Sequence, residues 1–440
     1  MEVCTWPARG VALQAILFLV LAAPLGASPQ NGAKPPANLG DASLEELMNV
    51  EVTSVSKKDE KLSQTAAAIY VITQEDIRRS GATTIPDLLR MAPGLDVAQI
   101  DTNIWAVSAR GFNSRFANKL LVLVDGRSVY SEIFSGTFWD SQDMVLEDID
   151  RIEVIRGPGA TMWGADAVNG VVNIITKPAK DTQGGLMSAA GGAGERGFGE
   201  LQYGGRLGSQ GYYRAYAKTL DRGPELATDP GEAQGDWSTA GGGFRLDWNT
   251  SPRDSVLAEG NIYGSGGRRE IDQVMPAPPF STENVGRAEA NGGSLMSRWQ
   301  RRLSNGAEIG VQVSYDHAYR DALAFRFTEN VADVDFHYRL PLGERNSLVW
   351  GLGYRFTDLA MNGTFGVNLS PQNRQDNLFQ GFVQDEWALI PDRVTFTAGS
   401  KFEHNPFTGF EIQPGMRLAW TPAPLHTFWV AVSRAVRTPA

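Results

Sequence analysis

The sequence predicts a small α+β domain followed by an antiparallel transmembrane β-barrel. Three observations carry that prediction. From about residue 185 onward, apolar and polar side chains alternate over stretches of about ten residues, the pattern of a membrane-spanning barrel strand. Short and long connections between these stretches take turns, as they do when one side of a barrel carries tight turns and the other carries loops. Ahead of them, residues ~57 to 178 combine helix-capping signals with continuous apolar runs, which suits one small domain.

Composition narrows the function classes. The chain has 440 residues and a formal net charge of −10. With no cluster of Lys and Arg to neutralise phosphates, nucleic acid is not expected as a partner. Its 48 glycines, with 11 Trp, 11 Tyr and 20 Phe, suit strands and turns better than a helical bundle. The N-terminus reads as an export signal over residues 1–27: Arg9 supplies the positive region, Val11 to Leu25 the apolar stretch, and Gly26-Ala27 the small residues before cleavage. An uncleaved anchor is the alternative, and the apolar run is short for one. Cys4 is the only cysteine, so no disulfide or thiolate chemistry is expected in the processed chain. Apart from the signal, no segment reads as a transmembrane helix, so a membrane span would have to be a barrel.

Residues 28–50 are rich in Pro, Gly, Asn and Ala and read as a flexible leader, too short to hold a further signalling domain. Glu51, Val52, Thr53, Ser54, Val55 and Ser56 form a short polar and β-branched alternation, suited either to adding a strand to a partner's sheet edge or to serving as the first strand of the next domain. Ile69 to Ile72 reads as a strand. Thr73 caps a helix that ends near Gly81, with Glu75 and Asp76 in its first turn, and Thr84 caps a second helix with Pro86 in its first turn. Leu120 to Val124 is continuously apolar, a strand buried on both faces. Asp125-Gly126 marks a hairpin turn, with Arg127 to Tyr130 returning. Ile152–Ile155 and Val171–Ile175 complete the strand set.

Several pieces of this domain, taken in order, carry a resemblance. They are Ala109-Arg110-Gly111-Phe112-Asn113, Val122-Leu123-Val124-Asp125-Gly126-Arg127, Ile152 to Ala160 with Arg156-Gly157-Pro158-Gly159 inside it, Trp163-Gly164, and Asn169 to Thr176. Together they resemble the plug domain of TonB-dependent outer-membrane receptors. Arg156-Gly157-Pro158-Gly159 is not a phosphate-binding loop, because no Gly-Lys-Ser/Thr follows. The resemblance implies that residues 51–56 are the TonB box and that TonB, with its inner-membrane energising complex, is the partner. It implies that Arg110 and Arg156 couple plug to barrel by meeting acidic wall residues, although pairing within the plug or reaching solvent is the plainer reading of each. It also implies a 22-stranded barrel around the plug. Ligand contacts are expected among Trp105, Phe112, Asn113, Arg115, Phe138 and Trp139, while Trp163 is expected to pack.

The barrel reading rests on three clear strands. Val311, Val313, Tyr315, His317 and Tyr319 form one apolar row; Leu348, Trp350, Leu352, Tyr354 and Phe356 a second; Val394, Phe396, Ala398, Ser400 and Phe402 a third. A soluble sandwich would alternate too, but has no reason to alternate short and long connections. Short ones fall near residues 208–210, 249–252, 304–305, 341–344, 391–392 and 421–424; long ones near 221–235, 265–291, 321–330 and 358–376. The connection at 192–194 breaks the rule. About thirteen strands fit between Leu186 and Val436, so the barrel is expected to be incomplete at its C-terminal end.

The expected function is uptake of a scarce nutrient across the outer membrane, with a ferric siderophore as the first substrate class and cobalamin, another metal chelate or an oligosaccharide as alternatives. A passive porin is the competing class, and it lacks a folded plug. Catalysis is not expected: His317, His337, His404 and His426 show no metal-ligand spacing, there is no nucleophile elbow, and no metal or cofactor is expected.

Overall fold

The computed structural model describes residues 51–52, 60–61, 65–157, 160–224, 235–423 and 426–438. The expected signal and leader, together with Thr53, Ser54, Val55 and Ser56, lie outside the described residues.

Two short strands come first, β1 (Glu51–Val52) and β2 (Glu60–Lys61), paired antiparallel. The plug follows with β3 (Ile69–Thr73), α1 (Gln74–Ser80), α2 (Ile85–Leu89), β4 (Leu95–Asp101), β5 (Ile104–Ala109), β6 (Leu120–Val124), β7 (Arg127–Ser128), β8 (Ile149–Arg156), α3 (Ala160–Trp163) and β9 (Gly170–Thr176). Helix α1 starts where a capping box fixes it: the Asp76 amide donates to Thr73 Oγ1 at 3.3 Å, and the Asp76 carboxylate accepts from the Thr73 amide at 2.9 Å. It stops at Gly81, which is left-handed with φ of 68°. Helix α2 also starts at its threonine, although Thr84 donates its hydroxyl to the Asp87 carboxylate at 2.6 Å rather than capping a backbone amide.

The main plug sheet has the order β3-β8-β9-β6-β7, with β6 and β9 parallel and central. All five residues of β6 are buried, as its unbroken apolar run requires. Ile72, Leu88, Leu89, Ile152, Val154, Val172 and Ile174 pack on one another in the core, each contributing about 1.5–3 kcal/mol by burial. Asp125 and Gly126 have φ of 49° and 82°, the left-handed geometry of the expected tight turn. The return strand β7 is only two residues long, and the β4–β5 hairpin was not foreseen: its polar residues give no clear alternation.

Thirteen strands form the second, wholly antiparallel sheet: β10 (Gly184–Ala190), β11 (Glu195–Leu207), β12 (Gly211–Arg222), β13 (Trp237–Trp248), β14 (Asp254–Val274), β15 (Ser281–Arg302), β16 (Glu308–Asp321), β17 (Phe325–Leu342), β18 (Asn346–Gly363), β19 (Asn373–Ile390), β20 (Val394–Asn405), β21 (Gly409–Ala423) and β22 (His426–Ser433). Each pairs with its sequence neighbours, so the sheet is a meander with β10 and β22 at its edges. The strand count matches the sequence expectation.

The register brings one parity of side chains into a continuous outward band. Ile262, Leu295, Tyr315, Val334, Leu352 and Phe379 are exposed there. Trp248 and Trp299 both pair with Val256, Trp387 stacks on Phe396, and Trp420 packs against Phe428, forming an aromatic row along the side of the short turns. The opposite parity carries Arg, Lys, Asp, Glu and Gln toward the plug.

Two of the expected long connections prove to be strand. Residues 265–291 are mostly β14 and β15, paired without interruption from Asp254↔Arg301 to Val274↔Ser281, and residues 321–330 hold most of a tight hairpin between β16 and β17. The backbone ladder can continue beyond a membrane, where side chains no longer need to alternate, so hydrophobic pattern loses the strand before the hydrogen bonds do. The hairpin between β20 and β21 is likewise tight, so loops on this side are not uniformly long.

Candidate plug–barrel interface and coupling site

The plug is held by an inward row of cations on β12. Arg214, Lys218 and Arg222 share one face, each about 13 Å from the next along the strand. Arg214 pairs with Asp148 at 3.2 Å and donates to the Lys177 carbonyl at 2.6 Å. Lys218 pairs with Asp143 at 2.6 Å and donates to the Met144 and Thr83 carbonyls at 2.9 and 3.3 Å. Arg222 donates to the Thr102 carbonyl at 3.0 Å and pairs with Glu195 at 2.9 Å. Burial pushes the Asp148 carboxyl up, and Arg214 opposes that shift.

The same polarity continues around the wall. Arg269 on β14 pairs with Asp101 at the tip of the β4–β5 hairpin. Arg320 on β16 makes two bonds to Asp140, at 2.7 and 2.9 Å, and one to Ser141 at 3.0 Å. Asp125 is the most connected group. Its carboxylate accepts from the Thr176 amide and hydroxyl at 3.0 and 2.7 Å and lies 3.5 Å from Arg245 on β13; its carbonyl accepts from Arg298 on β15. One pair runs the other way, plug Arg127 with Asp316 on β16.

On the part of the wall present here, five plug aspartates, Asp101, Asp125, Asp140, Asp143 and Asp148, meet wall cations. Arg110, exposed, and Arg156, half-buried, both bond to carbonyls of the plug. Arg110 donates to the Arg156 carbonyl at 2.8 Å and Arg156 to the Pro93 carbonyl at 3.0 Å. Their role in coupling to a wall stays a proposal. The sequence did hold the signal for the β12 row: Arg214, Tyr216, Lys218, Leu220 and Arg222 alternate with Ala215, Ala217, Thr219 and Asp221, which places the cations on a single face.

Trp163-Gly164 marks a close approach. The Ala165 amide donates to the Glu403 carboxylate on β20 at 3.1 Å, and Glu403 lies 3.6 Å from Lys401. Gly164 has φ of 88°, and a Cβ there would stand 2.6 Å from Lys401 Nζ and closer still to Glu403. Gly164→Ala is therefore expected to weaken plug seating by about 1–3 kcal/mol, read as a lower urea midpoint for plug release. Gly111→Ala is the control: its φ is 90°, but nothing lies within 4 Å. An equal loss in both variants would assign the effect to backbone strain alone. Trp163 packs beside Met162, Val349 and Phe382, as expected.

Asp166 follows directly, buried, with its carboxylate accepting from Thr438 Oγ1 at 3.2 Å. Burial first, and then the neighbouring Glu132 carboxylate, push it up to about 7. A carboxyl raised on folding favours the protonated folded state, so its contribution to stability is full below about pH 4 and is lost as pH rises through about 7. Asp166→Asn should flatten that part of the pH dependence of plug unfolding; an unchanged slope would remove Asp166 as its source.

The expected ligand contacts divide. Trp105 and Trp139 are buried in the plug core, where they pack, and the Arg90 and Arg222 guanidiniums lie 5.5 and 5.8 Å from the Trp105 ring. Phe138 stacks on wall Phe327 at 5.6 Å and has the Arg320 guanidinium over its ring at 4.2 Å. Phe112, Asn113 and Arg115 remain exposed, with Lys119 lying over the Phe112 ring and Arg115 over Phe116. Of the expected TonB box, Glu51 and Val52 pair with Lys61 and Glu60, and Val52 is buried.

A plug domain tied by buried ion pairs to a many-stranded meander wall defines a plugged β-barrel architecture. Residues 61–171 match the family profile described as the TonB-dependent receptor plug domain, and residues 188–440 match that of the TonB dependent receptor-like β-barrel. The chain belongs to the TonB-dependent receptor family. It is 33% identical over 201 residues to the vitamin B12 transporter BtuB of Vibrio cholerae, covering 44% of this chain and 31% of that protein. It is 25% identical to the ferric enterobactin receptor of Pseudomonas aeruginosa, covering 97% of this chain and 65% of that protein. The chain thus spans less than two thirds of either relative. Among solved structures, a P. aeruginosa ferric enterobactin receptor mutant with enterobactin superposes at a TM-score of 0.65 (17% identity, 86% of this chain, 63% of that one). The ferripyoverdine receptor of the same organism superposes at 0.67 (13% identity, 87% and 59%). At these identities the structural likeness speaks for the fold alone.

Proposed function

We propose that this chain belongs to an outer-membrane receptor that imports a scarce nutrient chelate, driven by TonB and its inner-membrane complex. The observation that carries the reading is the plug itself, a folded domain clamped to an inward-charged wall whose outer face is apolar. Such a lumen does not pass solute passively; it needs work to open, which argues against a porin. The outward apolar band with its tryptophan row supports placement in the outer membrane. The proposed coupling segment is residues 51–56. Exposed Phe112, Asn113 and Arg115 are the proposed ligand contacts within the plug. Catalysis has no place in this reading.

A ferric siderophore is the first substrate class, supported by a relative whose match covers 97% of this chain, a ferric enterobactin receptor. Cobalamin is second, supported by the more identical but shorter match to a vitamin B12 transporter. Titrating the full-length receptor with ferric enterobactin and with cyanocobalamin separates them. Submicromolar binding of the first is the expected result; binding of the second alone would transfer the assignment, and binding of neither would withdraw both.

A further inference from the structure

The outer face of the wall carries a cationic spot that neither the plug nor the transport reading uses. Arg268 on β14 and Arg287 on β15 are direct cross-strand partners, and both are exposed. They share the outward parity of Ile262 and Leu295, so both side chains leave the wall on the side of its apolar band. Like charges placed directly opposite one another across a ladder repel. Arg287 is loosely compensated, 3.5 Å from Glu289 with both side chains more than half exposed. Arg268 has no side-chain partner among the described residues; only its amide is engaged, donating to Asp236 at 2.8 Å.

The wall itself fixes the height of this spot. On β19 the apolar band runs from Trp387, in the aromatic row, to Asn377, whose side chain accepts from the Tyr354 hydroxyl at 2.6 Å. That is about 33 Å of strand and, at the usual tilt of about 40°, about 25 Å along the membrane normal, the height of a barrel's apolar band. The same rise on β14, starting at Val256 beside Trp248 and Trp299, ends at Gly266. The Arg287 guanidinium lies over Gly266, 3.3 Å from where a Cβ would stand. Arg268 is the next outward position along the strand. Both cations therefore sit where hydrocarbon gives way to headgroups. Beyond them Glu270, Asp272 and Glu283 turn the same face acidic, so the positive spot is confined to that level.

Anions held at that depth belong to lipid headgroups, and guanidinium forks match phosphate oxygens with paired bonds. We propose that Arg268 and Arg287 together bind a phosphate of a phosphorylated glycolipid in the outer leaflet, whose acyl chains lie along the apolar face of β13–β15. The bound phosphate cancels the repulsion across the ladder and ties the β14–β15 hairpin to the membrane. The acidic positions beyond it turn away polyanions arriving from outside. This rests on the outer-membrane placement proposed above.

The test uses the full-length receptor in phosphatidylcholine nanodiscs with and without bisphosphorylated lipid A. Lipid A is expected to raise the melting temperature of wild type and to leave that of Arg268→Ala/Arg287→Ala unmoved. Without lipid A the double variant should melt no lower than wild type, because the repulsion is gone. Native mass spectrometry should show lipid A held about tenfold more weakly for each arginine removed. Arg326→Ala is the control: Arg326 is also outward and exposed, but already bonded to Asp321 at 2.9 Å. An equal loss in that control, an equal rise in the double variant, or an equal rise with dephosphorylated lipid A overturns the site. So does a double variant already less stable without lipid A, which would make the arginines structural. A rise produced by inorganic phosphate alone would make the occupant a free anion, and the lipid site would fall. Flotation with vesicles separates the two readings: a receptor that does not insert fails the placement, and one that inserts without distinguishing the lipids fails only the site.

Discussion

Replacing Asp125 by alanine is expected to loosen the seating of the plug on the wall by about 2–4 kcal/mol, chiefly the cost of leaving two buried Thr176 donors without their acceptor. The carboxylate is the shared acceptor for the Thr176 amide, the Thr176 hydroxyl and the Arg245 guanidinium. Alanine leaves the Thr176 amide and hydroxyl without this acceptor and takes one carboxylate from Arg245, which keeps its two bonds to Asp247 at 2.9 and 3.0 Å. The backbone adds to the loss, because Asp125 sits at φ of 49°, where aspartate and asparagine are tolerated better than alanine. Asp125→Asn keeps the turn and an acceptor for Thr176 but loses the charge, so it should fall between wild type and alanine. Urea titration of plug release, with trypsin cleavage as a second reading, measures the series. An asparagine variant as stable as wild type would mean that the charge on Asp125 contributes nothing to seating.

Deleting residues 51–56 is expected to abolish energised uptake and leave ligand binding unchanged. The reason is mechanical: a segment that pairs by main-chain hydrogen bonds with a partner's sheet edge transmits force without touching the ligand. Val52→Pro makes the same point with one residue, since proline removes the amide such pairing needs. Glu51 and Val52 are already paired with Lys61 and Glu60, so their release must come before capture by the partner. Uptake of the bound substrate, ferric enterobactin or cyanocobalamin as binding decides, is measured in cells beside its affinity. Normal uptake by the deletion strain would remove this segment from the coupling step, and loss of binding would make it part of the ligand site.

The amino-acid sequence by itself determined the local elements and the strand parity of this protein. Thr73 and Asp76 fix the start of α1 through bonds three residues apart, and Asp125-Gly126 fixes its turn through the backbone angles those residues accept. Alternation in β16, β18 and β20 fixes which side chains face outward, because strand geometry sends neighbours to opposite faces. Each of these depends on interactions within a few residues, which a sequence displays directly. The family motif was legible for a related reason: Gly164 and Gly170 mark places where another group comes too close for a Cβ, Glu403 in one case and the Ile155 carbonyl in the other.

Only the tertiary structure decided how plug and wall meet. Arg214 and Asp148, or Arg320 and Asp140, are far apart in the chain, and their pairing depends on both the barrel register and the orientation of the plug inside it. A sequence shows that the charges exist, not which of them face each other. Burial of Trp105 and Trp139 was decided in the same way, since an aromatic in a connecting segment can face a ligand or a core until the elements around it are packed. The length of β14 and β15 was settled by their mutual hydrogen bonds, which continue where the apolar pattern has ended. Local geometry is written residue by residue, whereas the plug–wall interface comes from two folded surfaces brought together.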